Sequence, residues 1–445
     1  MKRLLLTATA LGVVLTGTAN AETLADKISR LEQDIQILKR QNEVNEEVAK
    51  AAAAKTPTVE LGNKGLVITS PDKKGQLSIG GVVQADFRNY IDDSDNNLKS
   101  EFLARRVRPT IQGKYGNASF RITPDFAGAS TRLFEAHADY KFADELSFRI
   151  GKFKPPVGLE RLQSAADLTF IERGHATNLA PSRDLGAQIS GKLIPGQLEY
   201  QLAVMNGNED LGNTDSDIDD EKDYFARVFA HPFAESEITE LQGFGVGVAG
   251  SWGNRDGSTT NRSLASYKTP AQNNFFSYSG TSFADGTKWR LYPQAYWYNG
   301  PFGLIGEYAY TSEEVTNAAN HETLEHDAWN IAASYVLTGE DVNYKGGVKP
   351  AEEFDPLAGN GWGAWEVALR YGETNIDNDA FPLFASTATS ASSAQTFGVG
   401  LNWYLNQNVK AVLNLEHTSF DGGSAIAGED RADENALLTR VQYKF

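Results

Sequence analysis

Between Lys154 and Arg183 the chain reads KPPVGLERLQSAADLTFIERGHATNLAPSR, and Arg161 and Arg173 within it are the residues best equipped for chemistry. A guanidinium stays charged at all physiological pH values and presents a planar fork that matches the paired oxygens of carboxylates and phosphates. Such groups bind oxyanions. The residues around them, Leu159, Leu162, Leu168, Phe170 and Ile171, are too apolar for a segment left in water, so this stretch is expected to pack against something. If it packs inside an enclosed passage, the two arginines act in a confined, low-dielectric space where fixed charge selects ions more strongly than at an open surface. The competing arrangement neutralises them against Glu160, Glu172 or carboxylates on neighbouring strands.

Other constellations offer less. Gly245-Val246-Gly247-Val248-Ala249-Gly250 matches G-x-G-x-x-G, but strand alternation runs straight through it. A dinucleotide site needs that motif at a strand-to-helix junction. Here Phe244, Val246 and Val248 face one way and Gly243, Gly245 and Gly247 the other, leaving room for an in-folded loop. Asp215, Asp217, Asp219 and Asp220 resemble the opening of a calcium loop, yet Asp220 stands where the turn glycine is required and Ala226 where the bidentate glutamate is. A solvated acidic outer loop is expected instead, one that holds divalent cations at most loosely beside lipopolysaccharide. The six histidines are scattered, without H-E-x-x-H, there is no G-x-S-x-G, and cysteine is absent. No metal, no cofactor and no enzymatic activity are expected. The net charge of −17 argues against nucleic acid, which calls for a basic stripe.

The elements that must position the arginines follow from the ends of the chain. Lys2 and Arg3, the apolar run Leu4–Leu15 and the small residues Ala19-Asn20-Ala21 have the order of a secretory signal peptide over 1–21. Leu24, Ile28, Leu31, Ile35 and Leu38 then form a single apolar stripe with 4-3-4-3 spacing, continued by Asn42 and Asn45. This predicts a short periplasmic coiled coil over 22–50, or else a lone amphipathic helix, and its Ile/Leu core favours two strands. Residues 51–76 read as an Ala-, Lys- and Pro-containing linker with a small plug or strand.

From 77 to 445 the period becomes two. Leu437, Thr439, Val441, Tyr443 and Phe445 share one face, while Leu438, Arg440, Gln442 and Lys444 share the other. Phe397 to Leu405 and Val409 to Leu415 repeat the scheme. About sixteen such segments occur, separated by short links (Tyr115-Gly116-Asn117, Ala143-Asp144, Ile194-Pro195-Gly196, Asn299-Gly300, Asn406-Gln407) and long ones near 91–100, 155–182, 207–221, 254–286, 313–325, 375–393 and 421–433. Two links at the short end, near 232–241 and 338–360, are long, and the second is a candidate to fold inward. An all-β fold follows: a sixteen-stranded antiparallel transmembrane barrel in the bacterial outer membrane, surrounded by outer-membrane lipid and lipopolysaccharide, with aromatic residues such as Tyr443 at the lipid interface. Alternation places Arg106, Arg108, Arg121, Arg149, Arg227, Arg370, Lys410 and Arg440 on the lumen face. It places Asp86, Asp125, Glu135, Asp139, Glu199, Glu307, Glu366 and Glu416 there too. Eight charges of each sign do not predict a selectivity; their placement must.

The blocks GGVVQADFRNY, FLARRVRP, GKFKPPVGLERLQSAADLTFIERGHATNLAP, LTGE, GAWEVALRY and FGVGLNWYLNQNVK together resemble the phosphate-selective porin O and P family of outer-membrane channels. The resemblance implies a trimeric sixteen-stranded barrel whose in-folded loops form a basic constriction for phosphate or related small anions such as polyphosphate. Residue by residue it implies that Arg105 and Arg106 are the paired arginines of the second strand. It also implies that Arg161 occupies a basic anion-site position usually held by lysine, and that Arg173 is the arginine of the neighbouring segment. Phe134 stands where the best-known members carry an aspartate. The expected function is passive, anion-preferring diffusion; the alternatives are a weakly selective general porin and a structural periplasmic tether.

Overall fold

Alternation of apolar and polar residues from Gly75 to Lys444 produces sixteen antiparallel strands that close on themselves. The computed structural model describes residues 23–53, 55–63, 65–91, 98–217, 219–317, 319–357, 359 and 361–445. The expected signal peptide lies outside the described residues. The chain divides into two units between Pro57 and Thr58. The first contains helix α1 (Leu24–Ala53), which runs past residue 50. Its start is set by Thr23 and Asp26, each of which accepts the other's backbone N–H on its side chain, at 3.3 and 3.2 Å. The stripe Leu24, Ile28, Leu31, Ile35 and Leu38 is exposed along this helix.

The second unit opens with a hairpin, β1 (Thr58–Gly62) and β2 (Gly65–Thr69), so part of the expected linker is sheet. The first half of the barrel consists of β3 (Gly75–Ile91), β4 (Glu101–Tyr115), β5 (Ala118–Asp125), β6 (Arg132–Lys141), β7 (Ser147–Phe153), β8 (Asp184–Ile194), β9 (Leu198–Met205), β10 (Asp223–Ala230) and β11 (Phe244–Asp256). A small loop hairpin, β12 (Ser266–Lys268) and β13 (Asn274–Ser277), intervenes. The barrel is completed by β14 (Phe283–Asn299), β15 (Phe302–Thr316), β16 (His321–Val336), β17 (Ala364–Asn375), β18 (Ala391–Tyr404), β19 (Val409–Gly422) and β20 (Glu434–Lys444). Closure occurs where β20 pairs β3, with Arg440 opposite Asp86. The terminal Phe445 completes the seam by exchanging backbone hydrogen bonds with Gly81 at 3.0 and 2.7 Å. Beyond the end of β20, β2 takes over as the partner of β3.

A closed sheet leaves no unpaired strand edge in a hydrocarbon layer, so every strand can bury one face and present the other to lipid. The last strand shows the division: Val441 and Tyr443 are half exposed on the outside, while Leu438, Arg440 and Gln442 are buried inside. The links alternate largely as expected. Gly116 and Gly300 make the tightest turns at φ +59° and +55°, a region that costs glycine nothing. The loop expected over 313–325 is an exception, because β15 and β16 extend to leave only residues 317–320 between them. Their cross-strand pairs continue through Thr316 and His321, which a polar, charged sequence did not advertise.

Candidate functional site

The segment 154–183, which links β7 to β8, crosses the lumen and is fastened to the opposite wall. Its apolar residues Val157, Leu159, Leu168, Phe170, Ile171 and Leu179 are buried, as its composition required. Its backbone is held by polar side chains from successive strands. Glu307 on β15 accepts the amides of Leu159 and Glu160, Asn330 on β16 accepts that of Ala176, and Asn414 on β19 accepts that of Ile171. Lys410 donates to Leu168 O at 2.8 Å, Arg370 to Glu172 O at 2.7 Å and Arg440 to Ile171 O at 2.5 Å. Gly398 and Gly400 on β18 lie 3.3–3.4 Å from the Phe170 ring at the point where a Cβ would stand, so small residues do make room for the loop there. At Gly245 and Gly247 the space is filled instead by the rings of Phe229 and Tyr296, not by an in-folded loop, because these bulky neighbours turn inward beside them. In the link after β16, at the short-turn end, Tyr344 also reaches inward, where its hydroxyl donates to Leu159 O and its carbonyl accepts from Gln163.

Arg105 and Arg106 are adjacent in sequence, so strict alternation would send one of them to lipid. A β-bulge prevents this: Gln84 pairs Arg106 and Ala85 pairs Ala104, leaving Arg105 as the extra residue. Both guanidiniums therefore reach Glu172 of the crossing segment, at 2.7 and 3.0 Å, and Arg440 joins them at 2.9 Å while also gripping Asp86. Arg370 pairs Glu416. Arg105, Arg106 and Arg440 thus share the carboxylates Glu172 and Asp86, Arg370 has Glu416, and Lys410 is committed to a carbonyl; these inward-facing cations anchor the loop.

Arg161 and Arg173 are held differently. Arg161 is buried, and its Nη2 donates to the carbonyls of Thr177 and Ala180 at 3.0 and 3.2 Å. Arg173 donates to the carbonyls of Glu160 and Gln163 at 2.5 and 2.8 Å. Lys154, absent from the sequence-based site, does the same with Leu162 O and Gln163 O. None of the three has a carboxylate within salt-bridge distance among the described residues, so carbonyls alone orient them. Burial, with neighbouring arginines beside it, lowers the Arg173 guanidinium to about 10 and holds Arg161 and Lys154 well below their ordinary values.

Beside this cluster lies a cavity of about 800 Å³, bounded by the strand wall from β3 to β9 and by the near side of the loop. Seven cationic residues line it, Arg108, Lys114, Arg121, Lys141, Arg149, Lys154 and Arg183, against two carboxylates, Glu135 and Asp139. Arg108 is partly offset by Asp125 at 2.7 Å, Arg121 and Arg183 share Glu135 at 3.0 Å each, and Arg149 meets Asp139. The inventory of lumen charges divides evenly, with Arg106, Arg108, Arg121 and Arg149 facing Asp125, Glu135, Asp139 and Glu199 on β4 to β9; the further basic residues at the cavity are Lys114, Lys141, Lys154 and Arg183. Asp86 and Glu416 are spent on arginines, Glu307 on backbone amides, and Glu366 on Asn402 and Tyr404, all on the wall where the loop is docked. Lys154 and Arg183 were missed in the sequence; their position at the two ends of the apolar-studded segment, where it must leave and rejoin the wall, was the available signal.

The family model described as phosphate-selective porin O and P matches residues 77–445. Porin O of Pseudomonas aeruginosa is 26% identical over 422 residues, covering 86% of this chain and 91% of that protein. Among solved structures, the outer membrane channel DcaP of Acinetobacter baumannii is similar with a TM-score of 0.56 at 13% identity, covering 83% of this chain and 97% of that one. An anion-selective porin from Comamonas acidovorans is similar with a TM-score of 0.53 at 10% identity, covering 83% and 100%. At such identities these structures share the fold alone. With its barrel, its docked loop and a family match over the whole barrel region, the chain belongs to the phosphate-selective porin O and P family and is a porin of the bacterial outer membrane.

Proposed function

We propose that this porin passes small anions passively, with phosphate or polyphosphate preferred, through a constriction whose field is set by Arg161, Arg173 and Lys154 and whose wall is continued by Arg108, Arg121, Arg149 and Arg183. The observation that carries this reading is the set of three basic loop side chains oriented by carbonyls alone beside a cavity lined by seven basic residues and two carboxylates. In a narrow passage a guanidinium replaces part of an anion's hydration shell, and its attraction is less screened than at a surface. Arginine also forks onto phosphate oxygens in pairs, which favours oxyanions over chloride at close range. Arg105 and Arg106, although neutralised by Glu172, hold the loop in place and so act on selectivity indirectly.

The assembly proposed is a homotrimer set by the barrel, with the N-terminal leader 1–21 removed on export and α1 forming a coiled coil in the periplasm. The exposed apolar stripe of α1 supports the coil, while Asn42 and Asn45 weaken it as a determinant of assembly. The test is the reversal potential of the purified porin in a planar bilayer under a potassium chloride gradient, followed by phosphate titration of the chloride current. Anion preference with saturable inhibition by phosphate is expected. Equal permeability to both ions would instead establish a general porin.

A further inference from the structure

The ring of Phe134 is in contact with two guanidiniums at once. The Arg108 guanidinium carbon is 3.7 Å from its ring centroid and that of Arg183 is 4.3 Å away. Phe134 reaches this place through a second β-bulge. On β5 and β6, Thr123 pairs Glu135 and Pro124 pairs Leu133, so Phe134 is the extra residue. With regular alternation Glu135 would face the lumen and Phe134 the lipid; the bulge turns both inward, and both line the cavity. An aromatic ring exchanged from the lipid face to a charged aqueous wall gives up apolar burial, so its placement calls for a compensating interaction, which the two cations supply.

We propose that Phe134 is a positioning residue for anion selectivity: it holds Arg108 and Arg183 together at the cavity wall as a two-guanidinium oxyanion clamp. Each guanidinium has one carboxylate partner, Asp125 for Arg108 and Glu135 for Arg183, and a third carboxylate here would cancel the charge that an anion needs. The ring's negative π surface attracts both guanidiniums while carrying no net charge. Arg108 is tethered through Nε alone, to Asp125, whereas Arg183 is held at both terminal nitrogens, Nη2 by Glu135 and Nη1 by Ser182. The Arg108 terminal nitrogens donate to no described protein atom and remain for a solute. The ligand class is a tetrahedral oxyanion, with inorganic phosphate as its simplest member. This inference rests on the anion-preferring reading above.

The experiment compares wild type with Phe134→Tyr, which keeps the ring, and with Phe134→Leu and Phe134→Met, which keep apolar bulk without it. Each is reconstituted in planar bilayers after its heat-modifiable folded form is verified, and inorganic phosphate is titrated against the chloride current. Loss of the ring contacts should raise the half-saturating phosphate concentration by about fivefold, in line with a cation–π contact at a partly exposed site. Maximal conductance in chloride should change little, and Phe134→Tyr should match wild type. A folded Leu or Met variant with wild-type half-saturation overturns the clamp while leaving the anion-preferring reading intact. A Tyr variant as impaired as Leu overturns it too, by reducing Phe134 to a packing residue. A wild type without anion preference overturns both.

Discussion

Arg440 and Glu172, far apart in sequence, meet at 2.9 Å inside the barrel, and around this contact the wall and the crossing loop are locked together. Asp86 holds the other side of Arg440 at 2.6 Å, so a cross-strand pair at the barrel seam is continuous with the loop's only carboxylate hub. Arg105 and Arg106 complete the hub, and in the folded state they hold the Glu172 carboxyl far below the usual carboxylate range despite its burial.

Removing that hub should cost stability. Glu172→Gln leaves three guanidiniums facing one neutral amide, and breaking a buried ion pair by removing one partner costs about 3–5 kcal/mol. A lower denaturant midpoint is expected in detergent-folded protein. In channels that still form, the reversal potential should shift further toward the anion, because Arg105 and Arg106 lose their counter-charge while Arg440 keeps Asp86.

Inverting the charge of the loop's basic residues should invert the field. Arg173→Glu is expected to abolish anion preference, and Arg161→Glu combined with Arg173→Glu to reverse it. Lys99→Glu on an exposed outer loop should leave the reversal potential unchanged to within a few millivolts, as expected for a charge screened within about 10 Å at 0.1 M salt. Unchanged selectivity in a folded double variant would remove both arginines from the constriction.

The fit of Phe170 against β18 offers a test that alters no charge. Gly400→Leu would place its Cβ 2.9 Å from the Asn414 amide and 3.3 Å from the ring. Overpacking of this kind costs about 1–3 kcal/mol, and the soft response is for Phe170 to move and unseat the loop. Single-channel recording should then show higher conductance with weaker anion preference, at unchanged net charge.

Assembly can be separated from α1. Deleting residues 22–50 should leave trimers on native gels, since the barrel is expected to set the oligomer and the coil only to support it. A fully monomeric product would assign the trimer to the helix.

Much of the architecture was legible because it is local. Side chains on a strand alternate by backbone geometry, so Arg440, Gln442 and Leu438 could be sent inward and Val441 and Tyr443 outward from their order alone. The apolar content of 154–183 likewise required a packed loop, and the residues Leu159, Phe170 and Ile171 are the ones it buries. Alternation fails, however, wherever one residue is inserted into one strand, and the two bulges at Arg105 and Phe134 are such places. Nothing in the flanking sequence distinguishes them from regular strand, because a bulge is defined by the register of the partner strand. The same holds for charge. Eight cations and eight carboxylates were countable on the inner face, but which of them cancel depends on distances across a closed barrel. The fold docks its loop on the wall from β14 to β20 and on β3, so the carboxylates there are spent on arginines and amides. On the wall from β5 to β9, Glu135 and Asp139 are paired with arginines too, and the ends of the loop add Lys154 and Arg183 to the cavity there. Covalent order determined the faces and the loop; only closure of the sheet decided which charges a solute meets.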